Sequence, residues 1–268
     1  MTVPVRRDYV DTSWGQLHIA TAGSGEPVVL LHQTPRSWDE YREVLPMLGR
    51  RFRAIAVDTP GMGASDVSPL GHSVVAYARA VLDMLDALGI GSCHLVGHHT
   101  GGVIAVEVAA RAPERVDRLV LSSTPYVDEA ARADRAGRRG IDEVEPRPDG
   151  THLTELWQRR QRYYPQGEPE LLARYLRDAL ATEDPEEGHR AVERYRMEDR
   201  IGSIRQPTLC VGHDADPFAF PGLSRLAELI PGARTEVIAG GAIPLEHTAG
   251  EFSRVVLGFL SAGAPVRP

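Results

Sequence analysis

Residues 92–114, SCHLVGHHTGGVIAVEVAARAPE, carry two patterns in succession that decide the fold. The first part, SCHLVGHH (92–99), predicts a buried strand. The second part, GGVIAVEVAARAPE (101–114), predicts a helix that ends at its proline. Short apolar runs suit strands that are covered on both faces, as in parallel sheets. A strand that turns directly into a helix is therefore the first sign of such a sheet here.

The same alternation of strand and helix continues in both directions from this stretch. It predicts a doubly wound, mostly parallel α/β sheet with helices on both faces, in which ligands bind at the carboxyl ends of the strands. The other predicted strands are VRRDYVDT (5–12), GQLHIATAG (15–23), PVVLLH (27–32), RAIAVDTPG (53–61), VDRLVLSS (116–123), PTLCVGHD (207–214) and ARTEVIAG (233–240). The other predicted helices span 38–48, 74–90, 223–230 and 250–260.

The alternation stops over residues 126–204, which are richer in charge and in helix-forming residues. We predict that this stretch is a helical cap inserted into a core made of residues 1–125 and 205–268. Three aromatic residues of the cap have two open interpretations. They line an apolar substrate cavity, or they only pack the cap itself. These residues are Trp157, Tyr163 and Tyr164.

Composition and charge narrow the function classes. The 268 residues carry a net charge of −7, which argues against a nucleic-acid partner, and 42% of them are hydrophobic, as in ordinary globular proteins. No apolar run approaches the roughly 20 residues that cross a bilayer, and no signal-peptide core is visible. Cys93 and Cys210 lie in apolar runs and indicate no disulfide framework. We therefore expect a cytoplasmic monomer or homodimer with neither a membrane nor a nucleic acid as partner.

Four segments, in this order along the chain, carry a resemblance to a known family. They are LLHQTPRSWDEYREVLPML (30–48), VDTPGMGASD (57–66), VGHHTGG (96–102) and PTLCVGHDADPF (207–218). Together they resemble the α/β-hydrolase family, in its epoxide-hydrolase and haloalkane-dehalogenase-like branch. The resemblance implies the sheet and cap described above, and it implies an enzyme that acts on a small organic molecule.

By this resemblance, Gly97-His98-His99-Thr100-Gly101 corresponds to the family's nucleophile elbow, a sharp strand-to-helix turn. His99 stands where Ser, Asp or Cys is expected. The resemblance also implies an oxyanion hole made by the main-chain N–H groups of Thr34 and Thr100. Gln33 replaces a usual glycine and adds a polar side chain near the pocket.

The other two positions of the implied catalytic triad, the acid and the histidine, match the family to different degrees. The acid loop resembles the family, but it offers two carboxylates, Asp214 and Asp216, between which the sequence does not choose. The position of the family's catalytic histidine holds Ala242. His247 follows five residues later and is a poor substitute. Because the expected nucleophile and the expected histidine are both replaced, the sequence argues against an acyl-enzyme mechanism, which needs a hydroxyl or thiol and a base.

These residues lead to a hypothesis of cofactor-free general-base catalysis. His99, paired with Asp214 or Asp216, would activate water or remove a proton from a carbonyl-, ester- or epoxide-type molecule. Hydrolysis is the family default, and proton-transfer lyase or isomerase chemistry is the close second. The alternatives are a non-catalytic, receptor-like protein that binds a small molecule and, more weakly, a partner-binding scaffold.

Further predictions concern the surroundings of His99. No His, Asp or Glu cluster has metal-ligand spacing, and no glycine-rich phosphate loop is present, so we expect no metal and no cofactor. His98 is either a packing residue or part of the pocket. The predicted substrate-binding residues are Gln33, His98, Trp157, Tyr163, Tyr164 and Ala242.

Overall fold

One sheet organises the part of the chain that the computed structural model describes, residues 3–135, 137, 140–241 and 244–262. Its strands are β1 (Val5–Thr12), β2 (Gly15–Ala22), β3 (Pro27–Leu31), β4 (Arg53–Val57), β5 (Cys93–His98), β6 (Val116–Ser122), β7 (Thr208–Ala215) and β8 (Arg234–Gly241). Their order across the sheet is β1-β2-β4-β3-β5-β6-β7-β8. The pairs β1–β2 and β2–β4 are antiparallel, and the other neighbouring pairs are parallel. The predicted mostly parallel sheet is therefore confirmed.

Helices flank this sheet on both faces. They are α1 (Val44–Leu48), α2 (Val74–Ala87), α3 (Thr100–Arg111), α4 (Glu129–Arg135), α5 (Thr151–Gln161), α6 (Pro169–Ala181), α7 (Glu187–Arg194), α8 (Leu223–Glu228), α9 (Pro244–His247) and α10 (Ala249–Ser261). Of these, the four predicted helices α2, α3, α8 and α10 begin and end within three residues of the positions that the hydrophobic spacing predicts.

The segment 38–48, which the spacing predicts as one helix, consists of two shorter pieces. A 3-10 helix spans Trp38–Tyr41, and α1 begins only at Val44. Pro46 gives a physical reason, because proline is tolerated in the first turn of a helix but not in its interior. Tyr41 and the apolar residues of α1 are nevertheless buried, so the residues that suggested a helix still pack on the core.

The core lies on both faces of the sheet, which explains the continuous apolar strands. Along β3, Val29 and Leu31 belong to one apolar cluster with residues of α2 and α3. Val28 and Leu30 belong to the other cluster, with residues of α1 and α10. Because successive side chains of a strand point to opposite faces, a strand that is covered on both faces must be apolar throughout.

Four α-helices, α4 to α7, lie between β6 and β7, where the sequence predicts the cap. We call them the interposed helices. Their function as a lid stays a prediction. α5, α6 and the segment between them form an apolar cluster of their own, made of Leu156, Tyr164, Leu171, Leu172, Tyr175, Leu176 and Ala179.

Buried ion pairs join α6 to the segment that follows β3. Nε of Arg36, in the loop after β3, lies 2.8 Å from Oδ2 of Asp178 in α6, and its NH1 lies 2.5 Å from Oε1 of Glu246 in α9. Nε of Arg174 in α6 lies 2.6 Å from Oδ2 of Asp39. Removing one partner of a buried pair typically costs about 3–5 kcal/mol. These contacts therefore hold α6 firmly against the loop that follows β3.

Two further features bear on the sequence predictions. Among the helices that the structure describes, none is both long and apolar enough to cross a bilayer. Cys93 and Cys210 are free and buried, and burial raises the pKa of both thiols. Both cysteines therefore behave as small apolar side chains, as their apolar surroundings in the sequence predict.

Candidate functional site

A sharp turn joins β5 to α3, and His99 is its only residue. His99 has φ 47° and ψ −114°, a positive φ that side chains other than glycine rarely adopt. Two glycines make this turn possible. A Cβ on Gly97 would lie 2.3 Å from the carbonyl oxygen of Gly101, and a Cβ on Gly101 would lie 2.0 Å from that of Leu31. The close backbone approach therefore requires glycine at both positions, and it presents the imidazole at the end of the strand.

The His99 ring is paired with Asp216, which follows β7. Nε2 of His99 lies 2.9 Å from Oδ2 of Asp216, and the two side chains are 14% and 0% exposed. Oδ1 of Asp216 accepts hydrogen bonds from the N–H groups of Phe218 (2.8 Å) and Ala219 (3.2 Å). Burial acts to raise the pKa of Asp216, but the His99 ring and these two N–H groups outweigh it, so the pKa lies below its ordinary value. The carboxylate is thus held in its ionised form.

The two carboxylates of the acid loop have different surroundings. Asp214 is exposed, and its Oδ1 accepts a hydrogen bond from the N–H of Gly240 at 3.0 Å. Asp216 is buried beside His99. Of the two carboxylates of the acid loop, Asp216 is the one that lies beside the imidazole, so it is the candidate partner of His99.

Two buried histidines lie behind His99. The centroid of the His98 ring lies 4.8 Å from that of His99 and 6.1 Å from that of His213. Nδ1 of His98 is 3.0 Å from Oγ of Ser122, and Nδ1 of His213 is 2.9 Å from Oγ of Ser123. Burial and the nearby His99 lower the pKa of both rings, to about 4 for His213. Both are therefore neutral packing residues, and His98 does not line the cavity described next.

A cavity of about 260 Å³ opens at His99, slightly below the roughly 300–1,000 Å³ that is usual for small-ligand sites. Its His99 end is formed by Gln33, Thr34 and Thr100. The apolar walls come from Pro125, Ile141, Tyr163, Val192 and Phe218. The wall formed by the interposed helices is polar, with Arg135, Arg160, Glu186, His189 and Glu193.

The predicted oxyanion donors have the required freedom. Thr34 and Thr100 both line the cavity, and neither main-chain N–H donates a hydrogen bond to any residue within the described ranges. Thr100 is the first residue of α3, where N–H groups lack partners in the helix. Two free donors at the His99 end of the cavity are suited to a carbonyl oxygen or an oxyanion.

Gln33 is held in place rather than free in the pocket. Its main-chain N–H donates to Oε2 of Glu40 at 2.9 Å, and its side-chain amide donates to Oε1 at 2.5 Å. Nδ1 of His32 is 2.7 Å from the carbonyl oxygen of Gln33, and its Nε2 accepts from the N–H of Thr59 at 2.9 Å. The loop that carries Thr34 is therefore braced from two sides.

The aromatic residues of the interposed helices do not all reach the cavity. Tyr163 lines it, 5.1 Å from the Phe218 ring, between ring centroids. Tyr164 is buried against Tyr175, and Trp157 packs on the same apolar cluster. The prediction that Trp157 and Tyr164 bind substrate is thus not supported by their positions. Their large apolar surfaces fill the space between α5 and α6 instead.

Local sequence patterns do not predict the polar wall of the cavity. Nε and NH2 of Arg160 bond the two oxygens of Asp142, and Tyr175 donates to the same carboxylate at 2.6 Å. Oε1 of Glu186 accepts a hydrogen bond from the main-chain N–H of Asp142. These partners lie far apart in the sequence, so no local motif indicates that they interact.

One group of side chains on this wall has the chemistry of metal ligands. Ligand atoms of Asp142, Glu186 and His189 lie within 4.8 Å of one another. However, the guanidinium of Arg160 already occupies the place beside Asp142 that a cation would take. The cluster is therefore better described as an ion-pair network than as a metal centre.

The last predicted positions lie after β8. Ala242, at the position of the family's catalytic histidine, falls outside the described residues. His247 is 43% exposed, and its Nδ1 lies 2.9 Å from Oε1 of Glu168. His247 is thus engaged at the surface, as its distance from the family position in the sequence suggests.

This chain is similar to several known proteins. The sequence model of one family, described as the alpha/beta hydrolase fold, matches residues 26–242. A soluble epoxide hydrolase from Corynebacterium sp. (strain C12) is 38% identical over 106 residues, which cover 40% of this chain and 37% of that protein. Haloalkane dehalogenase 2 from Mycobacterium bovis (strain ATCC BAA-935 / AF2122/97) is 33% identical over 122 residues, 45% and 43% of the two chains. The chain thus matches about two fifths of the length of these curated relatives.

A solved structure matches nearly the whole chain. The crystal structure of a hydrolase from Pseudomonas aeruginosa PA01 has a TM-score of 0.80 and 25% sequence identity, and the match covers 96% of this chain and 99% of that one. The family model spans most of the sequence, and the sheet is mostly parallel, as the sequence predicts. The resemblance found in the sequence is confirmed, and the chain belongs to the alpha/beta hydrolase fold family.

Proposed function

We propose that this protein is a cofactor-free enzyme in which His99 is a general base that acts on a small carbonyl-, ester- or epoxide-type molecule. The observation that carries the proposal is the 2.9 Å pairing of His99 with Asp216 at the mouth of a cavity. The family's relatives include a protein named as an epoxide hydrolase and one named as a haloalkane dehalogenase, which supports a hydrolase-like enzyme.

The pairing assigns the proton on the imidazole. The distance of 2.9 Å between Nε2 of His99 and Oδ2 of the ionised Asp216 favours the tautomer with its hydrogen on Nε2, although the two atoms do not meet the geometry of a hydrogen bond. Nδ1 then has the lone pair, and it belongs to a side chain that lines the cavity. A carboxylate that fixes the tautomer in this way is a recurring device of histidine bases. His99 is thereby prepared to accept a proton from a bound molecule.

The surroundings of His99 favour proton transfer over an acyl-enzyme. Position 99 offers no hydroxyl or thiol to attack a carbonyl, and Ser122 and Ser123 are buried and bonded to His98 and His213. A base does not need such a group. It either removes a proton from water, which then attacks the substrate, or removes a proton from the carbon next to a carbonyl.

The oxyanion donors complete both reactions. In either route negative charge develops on the substrate oxygen, as a tetrahedral oxyanion or as an enolate. The N–H groups of Thr34 and Thr100, which belong to residues that line the cavity and donate to no other described residue, would stabilise that charge. One lost donor of this kind typically costs 10²–10³-fold in rate. The same site thus supports hydrolysis or lyase and isomerase chemistry, with the triad histidine position taken by Ala242.

Three assays test the proposal: proton exchange, labelling by a serine probe and hydrolysis of p-nitrophenyl esters. Wild-type protein in D₂O is expected to exchange the acetyl methyl protons of 4-hydroxyacetophenone, followed by loss of the proton NMR signal. A fluorophosphonate serine probe is expected to leave the protein unlabelled. Labelling would contradict the proposal, because it would reveal an active nucleophile. Binding without exchange and without hydrolysis of p-nitrophenyl esters would favour the non-catalytic, receptor-like alternative.

A further inference from the structure

Glu186, on the polar wall of the cavity, has no part in the proton transfer described above. The residue lies between α6 and α7, directly before the first residue of α7. It is 6% exposed, and yet it lines the same cavity as His99. A buried carboxyl group that faces a small-molecule cavity needs an explanation, because burying a charged group without partners is costly.

Two glycines bring Glu186 to this position. A Cβ on Gly188 would lie 2.0 Å from Oγ1 of Thr34, so α7 begins in direct contact with the loop that carries an oxyanion donor. A Cβ on Gly140 would lie 2.4 Å from Cδ of Glu186, so the backbone at 140 lies across the carboxyl group. These close contacts fix Glu186 on the wall of the cavity that His99 also lines.

The two oxygens of Glu186 are not equivalent. Oε1 accepts a hydrogen bond from the main-chain N–H of Asp142. Oε2 has no hydrogen-bond partner among the residues that the structure describes. Oε2 is not among the buried polar atoms that lack a partner, so it is open to the cavity that Glu186 lines. It is therefore free to accept a hydrogen bond from a bound molecule.

The charges around Glu186 select a neutral donor. Arg160 is buried on the same wall, and its charge is already matched by Asp142, so it adds little for an anionic ligand. Burial raises the pKa of Glu186, and the nearby His189 and Arg160 act to lower it without offsetting the burial. Both basic side chains would also oppose a second cation at this point. A hydroxyl group is neither an anion nor a cation, so neither of these arguments applies to it.

We infer that Glu186 determines substrate specificity: the cavity takes a small molecule with a carbonyl at the His99 end and a hydroxyl group that donates to Oε2 of Glu186. The inference rests on the proposed function for the position of the carbonyl, between the N–H groups of Thr34 and Thr100. The volume of about 260 Å³ limits such a molecule to a single small ring or a short chain.

Binding of matched probes tests this inference without any turnover. The probes are 4-hydroxyacetophenone and 4-methoxyacetophenone, which differ in the hydrogen that Glu186 would accept, and their Kd values are measured by calorimetry. A hydrogen bond to a charged group contributes about 1.5–3 kcal/mol, so wild-type protein is expected to prefer the hydroxy compound at least tenfold. Equal affinities would overturn the inference, as would failure of both compounds to bind.

The variant Glu186→Gln sharpens the test. Its side chain keeps an oxygen for the N–H of Asp142 and presents an amide donor in place of Oε2. The tenfold preference is expected to disappear, while 4-methoxyacetophenone binds as before and shows that the cavity is intact. The matched control is Glu187→Gln, the next residue, whose carboxylate pairs with Arg190 and Arg194 outside the cavity. Its preference is expected to equal that of wild type.

Two outcomes separate this inference from the proposed function. In His99→Ala the preference for the hydroxy compound is expected to persist, because it depends on Glu186 and not on the base. A preference that survives in Glu186→Gln would refute the role of Glu186, whatever the activity of His99. Tighter binding of 4-(aminomethyl)acetophenone than of the hydroxy compound would refute the choice of a neutral donor.

Discussion

Nε2 of His99 and Oδ2 of Asp216 lie 2.9 Å apart, although the two residues are supplied by different strands, β5 and β7. In the strand order β5-β6-β7 a single strand separates them. Both residues follow the carboxyl ends of parallel strands, where ligands bind in sheets of this type. The pairing therefore puts a histidine and its carboxylate at the chemically useful edge of the fold.

The charge of Asp216 is expected to be essential for proton exchange. Asp216→Asn keeps an oxygen for the N–H groups of Phe218 and Ala219 but removes the negative charge opposite His99. We expect the exchange rate of 4-hydroxyacetophenone to fall by roughly 10²-fold or more, within the range usual for general-base catalysis. Asp214→Asn is the matched control, and its rate should equal that of wild type. A reversed pattern would show that the wrong carboxylate has been chosen.

Much of the fold follows from local sequence patterns. Buried parallel strands are apolar throughout, so β3 to β7 stand out without any long-range information. The prediction of a single helix over residues 38–48 was wrong, because Pro46 cannot occupy a helix interior.

The candidate site is less predictable than the fold. His99 and its neighbours are recognisable because a tight turn needs glycines at fixed spacing, as at Gly97 and Gly101. The residues of the polar wall have no comparable pattern in the sequence. Glu186 and Asp142 meet only after the interposed helices have packed, 44 residues apart, and a contact of that kind imposes no local pattern.

The buried His213 predicts a specific dependence of stability on pH. Its pKa is lowered from 6.5 to about 4 in the folded state. The unfolded chain therefore binds more protons than the folded one between these values, and the free energy of unfolding should fall as the pH drops from about 6.5 to about 4. His213→Asn, which can still bond Ser123, should reduce this slope by up to about 1.4 kcal/mol per pH unit. Urea titrations at several pH values measure it, and an unchanged slope would contradict the assignment.

Gly101 is expected to tolerate no side chain. In Gly101→Ala the new Cβ would lie 2.0 Å from the carbonyl oxygen of Leu31, and backbone atoms cannot move aside cheaply. We expect a loss of more than about 2 kcal/mol in the free energy of unfolding, measured by urea denaturation. Gly258→Ala in α10, where a Cβ meets no atom within 4 Å, should stabilise the protein by up to about 1 kcal/mol. Equal effects of the two substitutions would argue against the tight turn.

Arg36 is expected to be a major determinant of stability. Arg36→Met keeps most of the side-chain volume but leaves Asp178 and Glu246 buried without their cation. The expected loss is about 3–5 kcal/mol in the free energy of unfolding. Arg254→Met, which removes the exposed pairing with Glu251, should leave the denaturation midpoint unchanged. A small effect at Arg36 would show that the interposed helices are held mainly by apolar contacts.

The central claim is that the His99 imidazole accepts the substrate's proton, and one measurement tests it most directly. The rate at which the acetyl methyl protons of 4-hydroxyacetophenone exchange in D₂O is compared between wild type and His99→Gln, with Kd measured for both. We predict nearly equal binding and an exchange rate lowered by about 10²–10⁴-fold. An exchange rate in His99→Gln that matches wild type would contradict the account.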